Sequence, residues 1–85
     1  MDSIEQKISS YIAKNILFSR NGYPYPLDAS FLENGIVDSQ NIMEIIMVVE
    51  EDFGITVSDE DIIPDNFDSV VRIADYIRSK TQVVN

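Results

Sequence analysis

Apolar side chains recur every three or four residues in three stretches of the chain, which is the pattern of α-helices with one buried face. The first predicted helix spans Ser3 to Phe18. Ser3 and Gln6 have the spacing of a capping box at its start, and Asn21-Gly22 is a stop signal after its end. Its apolar stripe consists of Ile4, Ile8, Tyr11, Ile12 and Ile16.

The second predicted helix has the most regular pattern and runs from Ser39 to Asp52, with Gly54 closing it. Its core-facing residues are Ile42, Ile45, Ile46, Val49 and Phe53. Met43 and Met47 fall outside this stripe, on the side of the helix that carries Ser39. We expect both methionines to be exposed; the alternative is that they widen the buried face of a small protein.

The third predicted helix is brief. Ser58 caps it, and the acids of Asp59–Asp61 favour its first turn. Pro64 marks its end, because the residue before a proline avoids the helical region. Its expected buried side consists of Ile62 and Ile63.

The last predicted helix starts at Asp68 or Ser69. Arg78 and Lys80 lie at its C-terminal end, where positive charge complements the helix dipole. Its buried face consists of Val70, Ile73, Ala74 and Ile77. Residues 80–85 are expected to form a frayed tail.

The segment from Ser19 to Val37 is predicted to be one long connection, since Tyr23-Pro24-Tyr25-Pro26 cannot continue a helix. Connections of this length are usually functional or anchored to the core. We expect Phe31 and Leu32 to be the anchor and to tuck between the helices in a short helical turn. The candidates for the start of that turn are Asp28 and Ser30.

These elements predict a small all-α four-helix bundle with a short third helix, a long loop between helices one and two, and no convincing strand. A chain of 85 residues has room for one core, so residues 1–85 are expected to form a single domain.

Charge and composition restrict the function more than the fold. Six basic residues oppose fifteen acidic ones, for a net charge of −9. Nucleic acid is therefore not an expected partner, whereas proteins with basic patches are. The chain has no cysteine and no histidine, which excludes disulfides and thiolate sites and removes the usual general base. It shows no signal peptide and no membrane-spanning run, so we expect a cytoplasmic protein that does not bind membranes. We also expect a monomer.

The candidate chemistry lies where the second predicted helix begins. Asp38 suits the N-cap position, and Ser39 would then sit in the first turn with its hydroxyl facing outwards beside free amide donors. Helix N-termini bind anions, so this hydroxyl is well placed to carry a phosphate. The alternative is that Asp38-Ser39 is only a helix cap.

Two other chemical interpretations fit less well. A calcium loop starting at Asp59 would need an oxygen ligand at its fifth position and glycine at its sixth, but Ile63 and Pro64 stand there. A nucleophilic Ser39 would need a base within hydrogen-bond reach. The chain offers no histidine, and none of its three lysines falls at an obviously convergent position.

An ordered set of short runs between Phe31 and Ile77 resembles the acyl carrier protein family. These runs are Phe31–Ser39, Glu44, Glu50–Ile55, Asp59–Asp61 and Ala74–Ile77. The resemblance implies an acyl-carrier-like bundle in which the 4′-phosphopantetheine of coenzyme A esterifies Ser39 and carries acyl or aminoacyl groups as thioesters. It also implies that Asp38 helps to hold magnesium during the transfer, and that the chain is not an enzyme.

The resemblance further implies which proteins bind the chain. These are a phosphopantetheinyl transferase, an acyl- or aminoacyl-activating ligase, and downstream synthases or transferases with basic docking patches. The implied docking positions are Gln40, Met43, Glu44, Met47, Glu50 and Glu51. Gln40 departs from the family, which commonly has leucine there, and so favours a specialised pathway (polyketide, nonribosomal peptide, aminoacyl or D-alanyl). The alternative is an unmodified acidic adaptor that binds a partner through the Met43/Met47 face.

Overall fold

A computed structural model describes residues 3–81, and all regular structure in this range is helical. The elements are α1 (Ile4–Asn15), α2 (Phe31–Asn34), α3 (Ser39–Phe53), a 3₁₀ turn (Asp59–Asp61), α4 (Pro64–Phe67) and α5 (Val70–Thr81). The all-α prediction is confirmed. Within residues 3–81, no helix is long and apolar enough to cross a membrane.

Three helices, α1, α3 and α5, supply most of one hydrophobic core. Ile12, Val49 and Ile73 are fully buried within it, one from each helix. Arg78 Nη2 at the end of α5 lies 2.6 Å from Glu5 Oε1 at the start of α1, so these two helices run antiparallel. The hydrogen bond from Arg78 is the main cause that lowers the pKa of Glu5.

The first helix begins as predicted and ends early. Ser3 and Gln6 form the expected capping box, with Ser3 Oγ accepting the Gln6 N–H at 3.1 Å. The helix stops at Asn15 rather than at Phe18. The amide of Leu17 instead folds back onto the carbonyl of Ile12 at 2.9 Å, and Phe18 adopts a left-handed conformation with φ 53°. This turn breaks the helical register and leaves the Phe18 side chain exposed.

Only one of the two predicted anchors of the long connection is buried, and Ile36 and Val37 at its end join it in the core. Ser30 begins α2 by accepting the Glu33 N–H at 3.1 Å, as one of the two predicted starts. Phe31 is fully buried, but Leu32 is 65% exposed, so the prediction that both tuck into the core is wrong for Leu32. A single helical turn of this kind can point only one of two adjacent side chains inwards.

The prediction of the third helix is wrong, because a 3₁₀ turn and a separate short helix replace it. Residues Asp59–Asp61 make a 3₁₀ turn, and the Ser58 side chain does not cap it. Pro64 starts α4 instead of ending a helix. Proline fits there because the first helical residue needs no N–H donor. Ile63 is 43% exposed rather than buried, and Ile62 is half-buried.

The last helix begins where it was expected. Ser69 Oγ accepts the Arg72 N–H at 3.1 Å, in the manner of an N-cap. The helix continues through Lys80 and Thr81 and so reaches further than the sequence predicts. Residues 82–85, the rest of the expected tail, lie outside the described residues.

Candidate functional site

Ser39 is the first residue of α3, and its side chain is exposed. Among residues 3–81, no hydrogen bond involves the Ser39 hydroxyl. The hydroxyl therefore stands free at the positive end of a fifteen-residue helix dipole. This is the placement that the sequence predicts for Ser39.

Asp38 caps the same helix in both directions. Its Oδ1 accepts the Asn41 N–H at 2.8 Å, and its own N–H donates to Asn41 Oδ1 at 3.2 Å. These two bonds hold the backbone on both sides of Ser39 in one conformation. Within the described residues, Oδ2 of Asp38 has no donor and faces no cation, so it can ligate a metal ion brought by another molecule.

The outer face of α3 carries most of the predicted docking residues in exposed positions. Met43 is 50% exposed and Met47 is 66% exposed, so neither widens the core stripe. The exposed polar members of this face are Gln40, Glu44 and Glu51. Two adaptable thioether side chains thus lie on an acidic surface, which is suited to a partner with a basic and apolar patch.

Two glutamates of this face are held by other parts of the fold. Glu44 Oε2 accepts the Tyr11 hydroxyl at 3.3 Å, and burial, followed by this carboxylate, raises the pKa of Tyr11. Glu50 is half-buried, and its Oε2 accepts the backbone N–H of Val57 at 2.9 Å. One oxygen of Glu50 therefore holds the backbone of the segment that follows α3. The docking role of Glu50 stays a prediction.

An apolar cavity of about 240 Å³ opens beside Ser39. One wall is α3, through Ser39, Ile42 and Met43. The opposite wall, named here the outer wall, comes from α2 and the segment 62–68. Its lining residues are Phe31, Leu32, Ile62, Ile63, Pro64, Phe67 and Asp68. The serine and the cavity mouth are thus adjacent parts of one site.

The outer wall contains site residues that sequence reasoning missed. Leu32 and Ile63 were expected in the core, yet their exposed side chains line the cavity mouth. Asp68 was considered only as a helix start, although this residue also lines the cavity. Apolar residues beside prolines and turn residues, as in Ile62-Ile63-Pro64, are the one signal that could have identified a lining segment.

Comparisons with known proteins identify the family of the chain. A family model described as "Phosphopantetheine attachment site" matches residues 24–77, a range that includes Ser39 and the whole cavity. The chain is 37% identical over 84 residues to an acyl carrier protein of Buchnera aphidicola subsp. Schizaphis graminum, covering 96% of this chain and 99% of the relative. It is 33% identical over 81 residues to an acyl carrier protein of Nitratidesulfovibrio vulgaris, covering 92% and 97%.

Proposed function

Since the chain belongs to the acyl carrier protein family, which binds 4′-phosphopantetheine covalently and is not catalytic, we propose that Ser39 is the attachment point of that group. The observation that supports this most directly is the free hydroxyl of Ser39 at the start of α3. When bound, the group supplies a terminal thiol that holds acyl or aminoacyl cargo as a thioester.

The residues around Ser39 fit such a group. Asp38 fixes the helix start, so that a transferase meets the hydroxyl in one orientation. Its second carboxylate oxygen would hold the magnesium ion between the serine and an incoming phosphate, which two bare negative charges would otherwise repel. Partner enzymes bind the outer face of α3, through Met43, Glu44 and Met47.

The cavity supports an aliphatic cargo. Its volume of about 240 Å³ exceeds that of an apolar cavity of ~150 Å³ that holds benzene, so it has room for an aliphatic group. Burying an acyl chain there removes its apolar surface from water. We propose that an aliphatic cargo lies in this cavity between visits to partner enzymes.

Gln40 supports a specialised pathway. It is exposed directly after Ser39, where the family commonly presents an apolar leucine to its enzymes. Losing that contact costs roughly 1.5–3 kcal/mol where the leucine would have been fully buried in the complex. We therefore propose polyketide, nonribosomal-peptide, aminoacyl or D-alanyl partners, including an activating ligase, rather than general fatty-acid synthesis.

Intact-protein mass spectrometry tests the attachment. The chain is incubated with coenzyme A, magnesium and a promiscuous phosphopantetheinyl transferase, and we expect one added phosphopantetheine. Ser39→Ala should abolish the adduct. Ser58→Ala is the matched control, because Ser58 is also exposed and precedes a helical turn without making a side-chain capping bond. An adduct that persists in Ser39→Ala would contradict the assignment.

A further inference from the structure

The outer wall of the cavity depends on one side chain, Asp68, that the proposed function does not use. Resting on that function, we infer that Asp68 is a positioning residue: it holds α2 against the α4–α5 junction and so determines how well the cavity shields a bound acyl chain.

Asp68 makes three hydrogen bonds to the start of α2. Its backbone carbonyl accepts the Phe31 N–H at 2.6 Å, and its Oδ1 accepts the Leu32 N–H at 3.0 Å. Its Oδ2 accepts the Ser30 hydroxyl. Ser30 Oγ in turn accepts the Glu33 N–H at 3.1 Å. The start of a helix of only four residues is thus fixed by a carboxylate 36 to 38 positions further along the chain.

The segment 62–68 of the outer wall is tied to α5, and so is the 3₁₀ turn that precedes it. Tyr76 in α5 donates its hydroxyl to Asp61 Oδ2 at 2.7 Å, which holds the 3₁₀ turn. Arg72, also in α5, donates to the backbone carbonyl of Asp65 at 3.1 Å, which holds α4. Through Asp68, α2 joins the same unit.

Nothing comparable joins the outer wall to α3. Within residues 3–81, no hydrogen bond or ion pair links α3 to α2, to the 3₁₀ turn or to α4. Apart from the covalent link through residues 35–38 between α2 and α3, apolar packing therefore spans the cavity, and packing is not directional. The two walls can separate to admit an acyl chain. The outer wall keeps its shape only while α2 and the segment 62–68 stay joined to each other.

The position of Leu32 depends on the contact between Asp68 and α2. Its side chain is 65% exposed at the cavity mouth, so burial does not hold it there. Its backbone is held by the hydrogen bond to Asp68 Oδ1. If that bond is lost, α2 keeps Phe31 as its anchor but no longer keeps Leu32 over the mouth.

Amide hydrogen exchange on the unmodified protein tests the junction without any cargo. In Asp68→Ala we expect the exchange rate of the Leu32 amide to rise about fivefold. This is the change in the local opening equilibrium that the loss of one typical hydrogen bond causes. The Phe31 amide is the internal control, because it donates to the Asp68 backbone carbonyl, which the substitution retains. Equal protection of Leu32 in both proteins would overturn the inference.

A cleavage assay then tests shielding. The chain is loaded with acetyl- or octanoyl-phosphopantetheine, and hydroxylamine cleaves each thioester while intact mass is followed. The ratio of the acetyl to the octanoyl cleavage rate measures shielding, because an acetyl group is too short to reach into the cavity. We expect a ratio of about five in the wild-type chain and about one in Asp68→Ala.

Asp65→Ala is the matched control. It removes an exposed carboxylate three positions away that makes no side-chain hydrogen bond to a described residue, and we expect the wild-type ratio. Ser30→Ala removes only the Oδ2 contact and the α2 cap, so the ratio should fall about twofold, and this variant decides the question if Asp68→Ala does not fold.

The outcomes separate the two proposals. If the wild-type chain accepts no phosphopantetheine, the proposed function is overturned, and this inference with it. A chain that loads but gives the same ratio in wild type and Asp68→Ala overturns only the role of Asp68. A wild-type ratio of one also overturns it, because there would be no shielding for Asp68 to control.

Discussion

The two walls of the cavity are built in different ways. The α3 wall is one fifteen-residue helix with a capping box at its start, a left-handed Gly54 at its end and a buried stripe along its length. The outer wall consists of two four-residue helices and the short link before the second of them, which are held by two buried aromatic rings, Phe31 and Phe67, and by a few long-range hydrogen bonds. A wall of the first kind presents Ser39 rigidly, whereas a wall of the second kind can move to accept cargo.

The largest expected loss of stability comes from removing Phe31, the buried anchor of α2. Phe31 is fully buried, so Phe31→Ala should lower the free energy of unfolding by about 3–5 kcal/mol in denaturant titrations. Leu32→Ala, at the neighbouring exposed position, should cost about 0.5 kcal/mol or less. Similar losses for the two variants would mean that Phe31 is not the main apolar anchor of α2.

A smaller loss is expected where the outer wall meets α5. Tyr76→Phe removes the 2.7 Å hydrogen bond to Asp61 and should cost about 1–1.5 kcal/mol. Tyr11→Phe is the comparison on the α3 side, because its 3.3 Å bond to Glu44 is exposed and should contribute less. If Tyr11→Phe proves the more costly, the outer wall does not depend on its polar ties as described.

The same tyrosine predicts a pH dependence. Burial, together with the hydrogen bond to Asp61, raises the pKa of Tyr76 to about 12 from an unfolded value of 10.0. Because the folded state favours the neutral phenol, this contribution is fully present below pH ~10 and is lost as the pH rises towards ~12. Thermal unfolding should therefore show a steeper alkaline decline in the wild type than in Tyr76→Phe. Parallel declines would contradict the raised pKa.

Asp38, the N-cap of α3, is expected to contribute to stability and, separately, to phosphopantetheine transfer. Asp38→Ala should cost about 1 kcal/mol of stability, because the Asn41 N–H loses its acceptor. Asp38→Asn keeps an acceptor and should retain most of that stability while slowing phosphopantetheine transfer, since a neutral amide is a poorer magnesium ligand. Unfolding curves and transfer rates that fall together in Asp38→Asn would argue against a separate role in transfer.

The smallest expected effect on stability concerns the outer face of α3. Glu44→Lys with Glu51→Lys should change the free energy of unfolding by about 0.5 kcal/mol or less, since both side chains are exposed. The same pair should slow transfer at low salt, because a basic enzyme patch would be repelled. Circular dichroism is the control for folding, and an unchanged transfer rate at low salt would show that this face does not dock.

The same contrast explains what could be predicted from the sequence. The α3 wall follows from local rules: helical periodicity predicts its stripe, and Asp38 and Gly54 predict its ends. The outer wall follows from contacts between distant residues, such as Asp68 with Ser30, which no local pattern contains. For that reason Leu32 and Ile63 were placed in the core by their apolar character, although both line the cavity mouth.

The most direct test of the account locates the modification within the chain. After incubation with coenzyme A and a phosphopantetheinyl transferase, tandem mass spectrometry of proteolytic fragments assigns the adduct to one side chain. We expect phosphopantetheine on Ser39 and on no other serine. An unmodified chain, or an adduct on a different residue, would contradict it.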